Sequence, residues 1–177
     1  MERILVWWIG ERPLGEGALE HVRLHLERAF GPGVAVWHGP ERPGDAYDPR
    51  RKQWSSTRII TWLARTGPPG KVLGVTDVDL FIPILTFVFG EAQVGGRAAV
   101  VSTARLAEPG LLDERIVLER LSKESVHEVG HVLGLLHCET PGCVMGRSAS
   151  VRDVDGKRGE PCAACRARVA RGDREGT

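Results

Sequence analysis

The chain has 177 residues, a net charge of +1, 42% hydrophobic residues and 27% charged ones. A chain of this length buries a core without covalent staples, and so balanced a charge leaves no electrostatic footprint for nucleic acid or an anionic membrane surface. No run approaches the roughly 18 consecutive apolar residues that span a bilayer. The apolar part of MERILVWWIGERP is too short for a signal-peptide core.

Short apolar runs alternate with longer helical ones, which predicts an α/β layer fold. Residues 3–9 (RILVWWI) read as a first strand. Pro13 suits a first helical position, and Leu14, Ala18, Leu19, Val22, Leu26 and Phe30 follow at helical spacing until Gly31-Pro32-Gly33. Residues 34–37 are a second strand. Residues 39–54 form a long Pro/Gly-rich loop that could close over a cleft. A helix follows at 55–65, and 71–76 is a third strand. Residues 84–89 are taken as a fourth strand, placed at an edge by Pro83, and 98–102 as a fifth. Residues 112–134 carry apolar side chains at helical spacing. Beyond His137 the chain becomes rich in Gly, Cys and Arg, so 1–137 and 138–177 are expected to be two subdomains.

The informative segment is HEVGHVLGLLH, residues 127–137. His127 and His131 lie four apart, on one face of a helix, where two imidazoles reach one tetrahedral zinc. Glu128 is about a quarter turn away, in reach of a metal-bound water but poorly placed to be a ligand, which is the position of a general base. Gly134 can take the left-handed conformation that ends a helix, so His137 can swing back as third ligand. A fourth position left to water marks a catalytic site. Gly130, inside the helix, costs about 1 kcal/mol relative to Ala, and close approach of another element is the expected reason for it. The full spacing is the metzincin signature.

The four cysteines are Cys138, Cys143, Cys162 and Cys165. They form a C-x4-C and a CxxC, ligands for a closed structural zinc. Residues 138–177 have too little apolar area to fold without such a staple. Two disulfides are the rival reading, disfavoured without a signal peptide. A redox CxxC would follow a strand, and none precedes Cys162. The Arg and Lys residues of this segment are diluted by acids, so no nucleic-acid partner is expected.

The stretch HEVGHVLGLLHCETPGCVM followed by CAAC resembles the archaemetzincins. The likeness covers every position of the zinc helix, all four cysteines and Met145, and the gap from Met145 to Cys162 is about one residue shorter than usual in that family. YDPRRKQWSS, LGVTDVDLFIPILTFVFGEA and VVSTARL are of the same type. The resemblance implies a metzincin-like fold, a mixed twisted sheet of about five strands with one antiparallel edge strand, an active-site helix and a small zinc-stapled C-terminal lobe. It makes residues 84–89 that edge, and Met145 the residue of a tight turn beneath the metal. It also implies two Zn2+ per chain, one catalytic and one structural, and a zinc peptidase with poor activity on general proteins and aminopeptidase-like activity in some members.

The expected reaction is hydrolysis of short or terminal peptides, with zinc-bound water as nucleophile and Glu128 as general base. The alternative is a zinc-binding protein that recognises peptides or partners with little or no hydrolysis, although a pure binder has no use for Glu128. A cytoplasmic monomer without a membrane partner is expected. His21 and His25 lie four apart on the first helix and could hold a metal, but no third ligand accompanies them, and an exposed helix face is the expected reading. Asp77 and Asp79 are expected to stabilise a loop, and Tyr47 to pack within its own.

Overall fold

The computed structural model describes residues 3–11, 15, 17–39, 41–108 and 113–172. Pro13, Leu14 and Leu112, which figure in the expected helix starts, lie outside the described residues.

Five strands form the main sheet: β1 (Ile4–Trp8), β2 (Val34–Trp37), β5 (Lys71–Thr76), β7 (Gly90–Ala92) and β8 (Ala98–Ser102). Their spatial order is β2-β1-β5-β8-β7. The first four run parallel, and β7 closes the sheet as an antiparallel edge, pairing Gly90 with Val101 and Ala92 with Ala99. The predicted mixed sheet with one antiparallel edge is therefore present, between helices on both faces. A smaller sheet joins β3 (Tyr47–Asp48), β4 (Gln53–Ser55) and β6 (Leu80–Phe81).

Period-two alternation sorts the strand residues between two apolar layers. Ile4, Val6, Leu73, Val75, Ala99 and Val101 pack with Val22 and Leu26 of α1 (Ala18–Phe30) and with Leu121, Val126 and Val129 of α3 (Glu114–Val132). Trp7, Ile9, Val72, Ala98 and Val100 pack on the other side with Ile59, Ile60 and Leu63 of α2 (Ser56–Thr66). Ser55 caps α2 by accepting from the Arg58 amide, and Asp113 caps α3 by accepting from the Arg115 amide. Two short helices follow, α4 (Val151–Gly156) and α5 (Ala163–Arg171). No described helix is long and apolar enough to cross a membrane.

Two expectations need correction. Residues 84–89 are not the edge strand. The Leu85 amide donates to the Ile82 carbonyl at 3.1 Å, closing a β-turn with Pro83 in the second position, where proline's fixed φ is favoured. Ile84 and Leu85 sit on that turn, 87% and 49% exposed, and only Val88 makes an isolated bridge, to Leu80. The antiparallel edge is the next three residues, Gly90-Glu91-Ala92. Nor do the described residues of the 39–54 loop line the cleft. It contributes β3 and β4, and Arg51 and Gln53 donate to the carbonyls of Leu85 and Thr86, so it buttresses the 82–89 turn from behind.

Candidate metal centres and the cleft

Helix α3 carries His127, Glu128 and His131, all buried. The helix ends one residue later, at Val132, and Gly134 follows at φ 95°, the left-handed conformation available at little cost to glycine. The Leu135 amide donates back to the Gly130 carbonyl at 2.9 Å. The reversal brings exposed His137 against the other two rings. Ring centroids of His127 and His131 lie 4.6 Å apart, of His127 and His137 5.4 Å, and of His131 and His137 4.9 Å. A ligand nitrogen from each ring lies within 4.8 Å of the others.

The hydrogen bonds of the two helical histidines assign their tautomers. His127 Nδ1 lies 2.8 Å from the Val144 carbonyl and His131 Nδ1 lies 2.7 Å from the Leu135 carbonyl. A carbonyl only accepts, so each Nδ1 carries the proton and each Nε2 presents a lone pair. Those two lone pairs face each other at 3.1 Å. Burial, before any neighbouring charge, pushes both imidazoles below their usual pKa and takes His137 to about 4. Three imidazoles, two of them with facing lone pairs and the third with a ligand nitrogen within 4.8 Å, suit a divalent cation. Tetrahedral arms of about 2.05 Å would separate two ligand nitrogens by about 3.3 Å.

Glu128 is buried beside this triad. Its carboxyl is pushed well above the usual carboxylate range, by burial first and then by the charge of Glu124 one turn earlier. Room for it comes from Gly90 at the start of β7: a Cβ there would stand 2.7 Å from Glu128 Cγ and 2.6 Å from the Val100 carbonyl oxygen. Gly90→Ala is therefore expected to push the carboxylate out of place, lowering kcat on peptides by about 10- to 100-fold while zinc content stays normal. Steady-state kinetics beside elemental analysis would show this, and unchanged kcat would mean that the carboxylate tolerates the shift.

Gly130 answers to a close approach as expected. A Cβ on it would meet Met145 Sδ at 2.4 Å. Met145 is fully buried against α3 at Gly130, and its carbonyl accepts from the Cys138 amide at 3.0 Å.

The four cysteines are free, and their sulfurs lie within 4.8 Å of one another. Cys138 Sγ is 3.8 Å from Cys162 Sγ, and Cys143 Sγ is 3.9 Å from Cys165 Sγ. Zn–S arms of about 2.3 Å give tetrahedral edges of about 3.8 Å, so the group has the dimensions of a four-thiolate zinc site. The Cys162 thiol is drawn down to about 6, chiefly by the Cys165 amide, while burial pushes Cys143 and Cys165 up.

The cleft above the triad has a volume of 910 Å³ and is lined by Leu85 to Ala92, Val94, Leu136 and Arg147 together with the three histidines, Glu124 and Glu128. Sequence reasoning missed Gly90, Glu124 and Lys157. Glu124 Oε1 and Lys157 Nζ form a buried ion pair at 2.9 Å, and Ser148 Oγ also donates to Glu124. The place of Glu124, one turn before Glu128 on the same face, was a usable signal. Lys157 offered none. Asp77 and Asp79 serve loops as expected: Asp77 accepts from the Glu11 amide, and Asp79 pairs with Arg105 and Gln53. Tyr47 packs on Trp54 with ring centroids 5.2 Å apart, outside the cleft lining.

The sequence pattern of peptidase family M54 matches residues 69–171. The archaemetzincin of Methanopyrus kandleri is 37% identical over 166 residues, 93% of each chain. The chain belongs to peptidase family M54. It is a zinc metallopeptidase of that family. The archaemetzincin of Archaeoglobus fulgidus is 42% identical over 145 residues, 81% of this chain and 86% of that protein. The crystal structure of the Methanopyrus kandleri archaemetzincin superposes with a TM-score of 0.86 at 35% identity, covering 96% of this chain and 94% of that one. That of the Archaeoglobus fulgidus protein, solved with malonate, gives 0.80 at 37% identity over 93% and 98%. The fold is accordingly the one that the family resemblance implied.

Proposed function

We propose that the chain hydrolyses peptide bonds of short peptides or peptide ends, with His127, His131 and His137 holding the catalytic zinc and Glu128 acting as general base. The observation that carries this reading is the pair of Nε2 lone pairs facing each other at 3.1 Å with the Glu128 carboxylate beside them. Zinc in that position supplies Lewis acidity to a peptide carbonyl and acidifies water. Glu128 takes a proton from the attacking water and returns it to the leaving amine. Strand β7 presents a free edge to the cleft, where an extended peptide can add as a further strand. Leu85, Val94 and Leu136, each close to half exposed on the cleft wall, offer apolar contacts to its side chains.

In the same reading a second zinc is held by Cys138, Cys143, Cys162 and Cys165 and is structural. The chain divides at 137/138 into a subdomain that ends with the active-site helix and a lobe that carries the Met145 turn and the thiols. The free thiols suit the cytoplasm. The enzyme acts as a monomer without nucleic-acid or membrane partners. The test is a zinc-loaded sample incubated with a mixed peptide library and read by mass spectrometry. Ladders trimmed from one terminus support terminal cleavage, and internal cuts in long peptides overturn that part. No cleavage with both zincs bound would point to recognition without hydrolysis.

A further inference from the structure

His21 and His25 of α1, expected on an exposed helix face without a third ligand, are instead partly buried and acquire a third neighbour in the fold, Glu119 on α3. A ligand nitrogen of each imidazole and a carboxylate oxygen of Glu119 lie within 4.8 Å of one another. The two rings stand 4.3 Å apart at their centroids. His25 Nδ1 lies 2.9 Å from the His21 carbonyl oxygen, so it carries the proton and His25 Nε2 keeps a lone pair. That lone pair is 3.9 Å from Glu119 Oε2, too far for a hydrogen bond. His21 Nε2 is buried with no hydrogen-bond partner among the described residues. A buried imidazole nitrogen without a partner is costly. Three electron-pair donors gathered so closely suit a cation.

We propose that His21, His25 and Glu119 form a third metal site, specific for a divalent transition metal such as zinc. Two imidazoles four apart on a helix plus one carboxylate is a donor set that zinc accepts with ligand arms of about 2.0–2.2 Å. The remaining contraction falls to Glu119, whose side chain is half exposed. His25 and Glu119 also line a cavity of 630 Å³ with Arg28, Arg158 and Arg166, the last paired with Glu160 at 3.1 Å. Those cations weaken the site relative to the buried triad, and they favour a small anion as the remaining ligand. The site's role is a clamp. Glu119 lies two turns before His127 on α3, so a metal here fastens α1 to the helix that carries the catalytic residues. None of this depends on the peptidase reading.

The test uses enzyme saturated at its other sites and desalted, with ring-15N-labelled histidine, titrated with Zn2+ alone and followed by imidazole NMR. Ring nitrogens assigned to His21 and His25 are expected to shift in one further saturable step, with a rise in melting temperature. The double variant H21A/H25A should lose that step and keep peptide cleavage. Glu119→Gln should loosen it by at least about tenfold through loss of a charged ligand. The proposal is overturned if both ring signals stay fixed up to millimolar zinc, or if the step persists undiminished in the double variant.

Discussion

Glu128→Gln is expected to remove peptide hydrolysis, by about 10²- to 10⁴-fold in kcat, the usual contribution of a positioned general base, while the enzyme keeps its zinc. The glutamine is nearly isosteric, so the space opened by Gly90 still accommodates it, and no ligand is lost from the triad. What disappears is the ability to accept a proton. Burial makes Glu128 a stronger base than a surface carboxylate, which suits proton transfer near neutrality, and a divalent cation beside it opposes that shift and keeps the carboxylate ionised. The check is paired: kcat/KM on a peptide identified from the library, and zinc per chain by elemental analysis. Turnover within about tenfold of the parent enzyme would assign the base elsewhere in the cleft. Loss of zinc together with activity would instead make Glu128 part of the metal-holding set.

How much of this site was legible beforehand follows from which of its contacts are local. His127, Glu128, His131, Gly134 and His137 occupy eleven consecutive residues, and helical periodicity together with one left-handed glycine arranges them before any tertiary packing is considered. The same holds for the alternating strands 4–8, 71–76 and 98–102, whose β-branched residues fill two layers at once. Reading failed where an element owes its existence to its neighbours. The edge strand is Gly-Glu-Ala, with no strand-forming residue in it. It is a strand because it pairs with β8, and glycine leads it because Glu128 and the Val100 carbonyl leave no room for a Cβ. The apolar run just before it, Ile84 and Leu85, looked like a strand and is an exposed turn on the cleft rim. His21 and His25 were visible as a pair, but Glu119 lies 94 positions beyond His25 in the chain, and only the packing of α1 on α3 brings it near. Lys157 likewise becomes meaningful only when the C-terminal lobe sets it against Glu124.

Cys165→Ser is expected to cost more than the loss of one structural ligand. The buried apolar side chains after residue 137 are few, Val144, Met145 and Val154 with Cys143 and Cys165 among them, and they cannot offset the chain entropy of some thirty ordered residues at about 1–2 kcal/mol each. A four-thiolate zinc contributes about 10–16 kcal/mol in small metal-dependent folds, the same order as the whole stability of an ordinary domain, about 5–15 kcal/mol. Removing one thiolate should therefore loosen residues 138–171, seen as lost hydrogen-exchange protection there while the sheet stays protected. The proposed zinc site of His127, His131 and His137 should fail with the lobe. Val144 supplies the carbonyl that fixes the tautomer of His127, Met145 fills the space under Gly130, and Cys138 directly follows His137. Zinc affinity at the histidines should drop by about 10- to 100-fold, the range seen when a histidine ligand loses its orienting partner, and activity should drop with it. Full protection of 138–171 in a variant lacking the thiol-bound zinc would show that the lobe folds by packing alone. Lost protection with undiminished histidine affinity would show that α3 holds the triad without support from the lobe beneath it.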